Sequence, residues 1–164
     1  MEQLVELYKK ESSAVFNNID SGLIIKFVKT IINAYEGEKK VFICANGGGV
    51  SAVENFVVDM NMHPFVSEDK SATSNVKRNK FMAVSLCNSG GTLTGITNDL
   101  GFENIYAEQL KYQASSGDIF IGISGSGTSK NIVESISLSK DLGLTSVLIT
   151  RNESPSCADK LDLL

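Results

Sequence analysis

Two stretches rich in glycine and hydroxyls, and one carboxylate–histidine spacing, hold the residue types from which this chain could build a reactive centre. The first stretch is Cys44-Ala45-Asn46-Gly47-Gly48-Gly49-Val50-Ser51, where three successive glycines let a ligand approach the backbone and a helical pattern follows at once. Such a turn suits an anion or a polar sugar. The second is Ser124-Gly125-Ser126-Gly127-Thr128-Ser129-Lys130-Asn131, which alternates hydroxyls with unhindered N–H groups at the positive end of the next helix, a composition suited to a phosphate monoester. One such turn alone is equally what a tight strand-to-helix connection requires, and two in one sheet shift the balance toward ligand binding. Asn55 and Asp59 lie four apart with Ser51 a turn earlier, so they share a helix face. Asp59 and His63 repeat the spacing, which could pair a carboxylate with an imidazole or bind a metal, but Pro64 disfavours helical geometry at residue 63 and favours a surface or capping histidine. Asp59 by itself is equally a solvated charge near a helix end.

Nucleotide cofactors fit less well. Gly125-x-Gly127 follows a strand but lacks the third glycine of a dinucleotide fingerprint, the next strand ends Thr150-Arg151 without an acidic ribose ligand, and no G-x-x-x-x-G-K-[ST] spacing occurs.

The elements that must position these turns are legible from periodicity. Leu4, Val5, Tyr8, Val15 and Phe16 among charges predict an amphipathic helix over residues 1–18, and Leu23 through Tyr35 predict a second, with Asp20-Ser21 as N-cap and Gly37 as stop. Short apolar runs at 41–44, 81–86, 119–123 and 147–149 read as buried strands. Helical patterns over 50–60, 92–97, 105–112 and 129–142 separate them. Alternation of continuous apolar strands with helices predicts an α/β fold, a three-layer α/β/α sandwich around a parallel sheet, with ligands bound beyond the carboxyl ends of the strands. Residues 65–80 are polar and read as a surface loop, and residues 158–164 as the approach to a further strand.

At 164 residues the chain is read as one domain, 1–37 forming the opening helices and 38–164 the α/β core. A net charge of -4 offers no general attraction to nucleic acid or anionic membrane. Three cysteines without a C-x-x-C pair indicate neither a disulfide scaffold nor a cysteine zinc site, and the N-terminus lacks a basic start and apolar run, so a cytoplasmic setting is expected.

Ile43-Cys44-Ala45-Asn46-Gly47-Gly48, Asn98-Asp99-Leu100-Gly101-Phe102 and Gly122 through Asn131 together resemble the sugar isomerase (SIS) domain family, most closely its phosphoheptose isomerases. The resemblance implies a flavodoxin-like fold and an aldose–ketose isomerase acting on a phosphorylated sugar through an enediol. It implies that Ser124, Gly125, Ser126 and Ser129 hold the phosphate, and that Asn46, Gly47, Gly48, Gly49, Asn98 and Asp99 face the sugar hydroxyls. Asn98-Asp99 otherwise reads as a turn. The family's catalytic glutamate matches Asp59, the expected base, and its homotetramers place active sites between subunits. Gly49 stands where a serine is usual, and Asn55 where some members carry a metal-binding histidine. The family's C-terminal helix, with its histidine and a glutamine ligand, falls beyond Leu164. Zinc is thus possible by resemblance only, and no metal ligand is assigned. A noncatalytic phosphosugar-binding module is the alternative.

Overall fold

A computed structural model describes residues 1–63 and 81–164; the loop expected at 65–80 lies outside the described residues. Helix α1 spans Glu2–Asn17 and α2 spans Ser21–Glu36. The latter starts where Asp20 leaves helical geometry and its carboxylate accepts the Gly22 N–H at 2.7 Å, and it stops at Gly37. Then follow β1 (Lys40–Ala45), α3 (Gly49–Asn61), β2 (Met82–Ser85), α4 (Gly90–Leu100), a 3-10 turn at Phe102–Asn104, α5 (Ala107–Gln113), β3 (Ile119–Ile123), α6 (Lys130–Asp141) and β4 (Thr145–Ile149). Among the described residues no helix is long and apolar enough to cross a membrane.

All strand pairings are parallel, in the order β2-β1-β3-β4, with Ile43 opposite both Ser85 and Ile121. The central strands are buried nearly throughout, as their unbroken apolar runs predict, whereas β2 alternates because it is an edge. That edge is closed by a side chain. The Asn61 amide donates to Ala83 O at 2.8 Å and accepts from Ala83 N at 2.9 Å, supplying both bonds a further strand would make. At the opposite edge Ala158–Lys160, expected to approach a further strand, form a 3-10 turn instead, and Leu163 makes a single parallel bridge to Val147, its carbonyl accepting from Leu148 N at 3.0 Å.

Phe42, Phe120, Ile121, Leu110, Ile132 and Ile136 are fully enclosed. Helix α6 lies so close to β3 that a Cβ at Gly122 would stand 2.7 Å from Ile132 Cγ2, so glycine permits the contact that seats the start of α6 over the sheet. The chain leaves β1 for β2 on one side and returns to β3 on the other. With right-handed crossovers, α3 and α6 then cover opposite faces, and the carboxyl ends of β1 and β3 diverge into a crevice.

Candidate functional site

Both turns singled out from the sequence meet at this crevice. In the first, Gly47 takes a left-handed φ of +54°, and Gly49 and Val50 donate back to Asn46 O and Gly47 O, both at 3.1 Å. A Cβ at Gly49 would lie 2.9 Å from Ala45 Cβ, so the residue that departs from the family pattern lets α3 start hard against β1. In the second, Ser124 is 5% exposed and accepts the Gly127 N–H at 3.2 Å, while its own hydroxyl donates to Ser129 Oγ at 3.1 Å. Ser126 Oγ accepts from Thr128 N and Thr128 Oγ1 at 3.2 and 3.0 Å. Asn152 Nδ2 holds Ser126 O at 2.9 Å from the far side.

Ser129 is the N-cap residue of α6 yet its side chain makes no cap bond. The Lys130 and Asn131 N–H groups therefore have no acceptor among the described residues, and the Ser126 and Ser129 hydroxyl hydrogens are not committed within the turn. At helix α4 the cap side chain is engaged: Ser89 Oγ accepts the Thr92 N–H at 3.2 Å.

The turns are joined by an amide pair. Asn46 Nδ2 donates to Asn131 Oδ1 at 2.9 Å, and Asn131 Nδ2 donates to Asn46 Oδ1 at 2.8 Å. Beneath them Tyr106, 3% exposed, donates to Ala45 O at 2.6 Å and lies 3.6 Å from Cys87 Sγ. Burial, reinforced by the bond and proximity to Cys87, pushes the Tyr106 phenol well above its usual value, and burial does the same to the Cys44 thiol. Both groups are thus neutral near pH 7.

Alongside opens a pocket of about 570 Å³ between the first turn and α4, lined by Asn46, Gly47, Val50, Leu93, Thr97 and Asn98 with Tyr106 at its base. Gly48, Gly49 and the serine turn are not part of its wall. Asn98 therefore reaches the pocket, whereas its neighbour Asp99 is outside it and accepts from Asn98 Nδ2 at 2.8 Å. Sequence reading missed Thr94, Thr97, Phe102 and Tyr106 in this wall. It also passed over Asn88-Ser89-Gly90-Gly91-Thr92, whose glycine and hydroxyl content after an apolar run is the same signal that identified the other turns.

Asp59 is elsewhere. It sits ten residues beyond Gly49, about 15 Å down α3, on the outward face it shares with exposed Ser51 and Asn55. Its Oδ1 lies 2.9 Å from His63 Nδ1, with side chains 60% and 67% exposed, so the histidine is a surface residue paired with that carboxylate. Among the described residues no three His, Cys, Asp or Glu side chains converge, and with Asn at 55 the donor set does not fit a resident zinc ion.

Residues 8–150 match the family model described as SIS domain. The phosphoheptose isomerase of Helicobacter pylori (strain P12) is 32% identical over 117 residues, covering 71% of this chain and 56% of that protein. The probable phosphoheptose isomerase of Thermoplasma acidophilum is 28% identical over 143 residues, 87% of this chain and 73% of that one. The chain thus spans little more than half the length of the Helicobacter relative. In fold it superposes on the phosphoheptose isomerase of Neisseria gonorrhoeae with a TM-score of 0.81 at 20% identity, covering 98% of this chain and 79% of that one.

Proposed function

The chain belongs to the SIS domain family, and on that premise we propose that it binds a phosphorylated sugar and interconverts its ketose and aldose forms, with sedoheptulose 7-phosphate the favoured substrate. The observation that carries the reading is the start of α6. Its two leading N–H groups and the Ser126 and Ser129 hydroxyls lack acceptors among the described residues, and an anion with several oxygens satisfies such donors together. Ser124 and Gly125 complete the phosphate turn, and the sugar extends along Gly47–Gly49 toward Asn98, with Asp99 supporting Asn98.

Moving a proton between adjacent carbons needs a positioned base, and Asp59 is the carboxylate proposed for it. Because Asp59 faces away from its own crevice, it serves a site shared with a second copy. Support for such association comes from α1 and α2. No residue of α1 is buried, and Leu4, Tyr8, Val15, Phe16, Ile24 and Ile25 are all exposed apolar side chains, a surface suited to a homotetramer. A monomer mass in light scattering would refute the shared site.

A second reading, a phosphosugar-binding module without turnover, is favoured by the same placement of Asp59 and by Gly49 and Asn55. One experiment separates them: phosphorus and proton NMR with sedoheptulose 7-phosphate in deuterated water. Isomerisation with deuterium incorporation, abolished by Asp59→Asn while binding persists, is the expected result. Shifted substrate resonances without product would leave the binding module, and no perturbation at all would refute both.

A further inference from the structure

We propose that Asn131 is a positioning residue for ligand binding: its buried amide locks Asn46, and so fixes the glycine turn at a set distance from the serine turn for a ligand that bridges the two. The inference rests on the phosphosugar reading and assigns Asn46 a role acting through the turn rather than on the sugar.

Asn131 is 0% exposed, at the point where α6 begins beneath the crevice. Every polar group of its side chain faces a partner within the protein. Its Oδ1 accepts from Asn46 Nδ2 and from Ile132 N at 3.0 Å, and its Nδ2 donates to Asn46 Oδ1. Its backbone carbonyl accepts from Ser135 Oγ at 2.7 Å, which anchors it to the next turn of α6. Asn46 is committed in return: each end of its amide is engaged by Asn131, and Tyr106 Oη stands 3.5 Å from its Oδ1.

These two bonds are, among the described residues, the side-chain hydrogen bonds that connect the turns. The serine turn is braced independently by Asn152 and by Thr150, whose Oγ1 lies 3.4 Å from Gly125 O. The glycine turn is held at its base, where Tyr106 and Cys87 bond Ala45, but among the described residues no side chain other than Asn131 braces Asn46–Gly49 against the serine turn. Among the described residues a Cβ at Gly47 or Gly48 would meet nothing within 4 Å, so the tip's placement relative to the serine turn depends on the amide pair. A group that touches only the serine turn does not need the pair. A sugar phosphate, anchored by its phosphate and reaching across to Gly47–Gly49, does, because small misplacement of one anchor relative to the other weakens simultaneous contact.

The test compares two ligands, inorganic phosphate and sedoheptulose 7-phosphate, by calorimetry or phosphorus NMR on the unsubstituted chain and on Asn46→Ala, Asn131→Ala and the double variant. Urea unfolding of every variant, run on the same samples, separates a folding defect from a binding defect. Expected is a loss of sugar phosphate affinity of about tenfold or more in each single variant and no further loss in the double, because the two amides act as one unit. Inorganic phosphate, held by backbone N–H groups and serine hydroxyls that these substitutions leave in place, should lose clearly less affinity than the sugar phosphate in every variant. Unchanged sugar phosphate affinity in Asn131→Ala, with loss only in Asn46→Ala, would make Asn46 a direct contact and overturn the proposal. Equal losses for both ligands in an Asn131→Ala variant that keeps its urea midpoint would reduce Asn131 to a support of the serine turn and overturn it too. An unsubstituted chain that binds neither ligand would instead overturn the phosphosugar reading, and this inference with it.

Discussion

Ser89 and Ser129 each precede the first turn of a helix after a strand, and replacing each by alanine separates a hydroxyl that holds the fold from one left for a ligand. Ser89 Oγ accepts the Thr92 N–H at 3.2 Å and pairs with Thr92 Oγ1 at 2.8 Å, so Ser89→Ala removes a working cap. The cost is about 1 kcal/mol, within a range of about 0.5–2. For a chain of this size that lowers Tm by about 2–4 °C. Ser129 makes no side-chain cap bond, and among the described residues its side-chain partner is Ser124 Oγ at 3.1 Å. That hydroxyl can turn elsewhere in a half-buried turn, so Ser129→Ala should cost about 0.5 kcal/mol. Ligand binding should reverse the ranking. A hydrogen bond to a charged phosphate is worth about 1.5–3 kcal/mol, a loss of roughly 10- to 140-fold in affinity for Ser129→Ala. Ser89→Ala should leave phosphate affinity within about twofold. Urea unfolding and calorimetric titration with inorganic phosphate read both quantities on the same samples. Phosphate affinity unchanged in Ser129→Ala, together with a stability loss matching that of Ser89→Ala, would refute the assignment of the serine turn to phosphate.

Two further outcomes follow from the packing around the site. Tyr106 and Cys44 are held protonated by burial, so the fold retains protons that the unfolded chain releases above its ordinary values, near 10.0 and 9.0 respectively. Their contribution is intact below about pH 9 and lost as pH rises beyond it, with a slope approaching about 1.4 kcal/mol per pH unit for each group. Tyr106→Phe should remove the tyrosine share of that slope above pH 10 while costing about 1–3 kcal/mol at pH 7 for the partner lost by Ala45 O; urea midpoints across pH check both. Asn61→Ala should cost about 1–3 kcal/mol and expose the Ala83 edge, giving concentration-dependent scattering, and an unchanged urea midpoint would show that the amide does not close β2.

Much of the architecture is written locally in the chain. Unbroken apolar runs such as Val41 to Cys44 and Ile119 to Ile123 demand burial on both faces, and only a parallel sheet with helices on either side provides it. Asp20, Gly37 and Gly143 mark helix ends through side-chain and backbone chemistry within a few residues, so these boundaries survive without tertiary information. The glycine and serine turns are legible for the same reason, since the conformations they need favour those residue types. The edge status of β2 and its closure by Asn61 are not legible, because they depend on which strand ends the sheet. Nor is the pairing of Asn46 with Asn131, 85 positions apart, which exists only because β1 and β3 became neighbours. The same reason separates Asp59 from the crevice: its spacing from Asn55 establishes a shared helix face, but whether that face meets the sheet or solvent was decided by how α3 packs. Sequence therefore determined which hydroxyl and glycine residues stand at the helix starts, and the tertiary structure decided which of their polar groups are left without partners among the described residues, because hydrogen-bond partners are allotted only when distant segments meet.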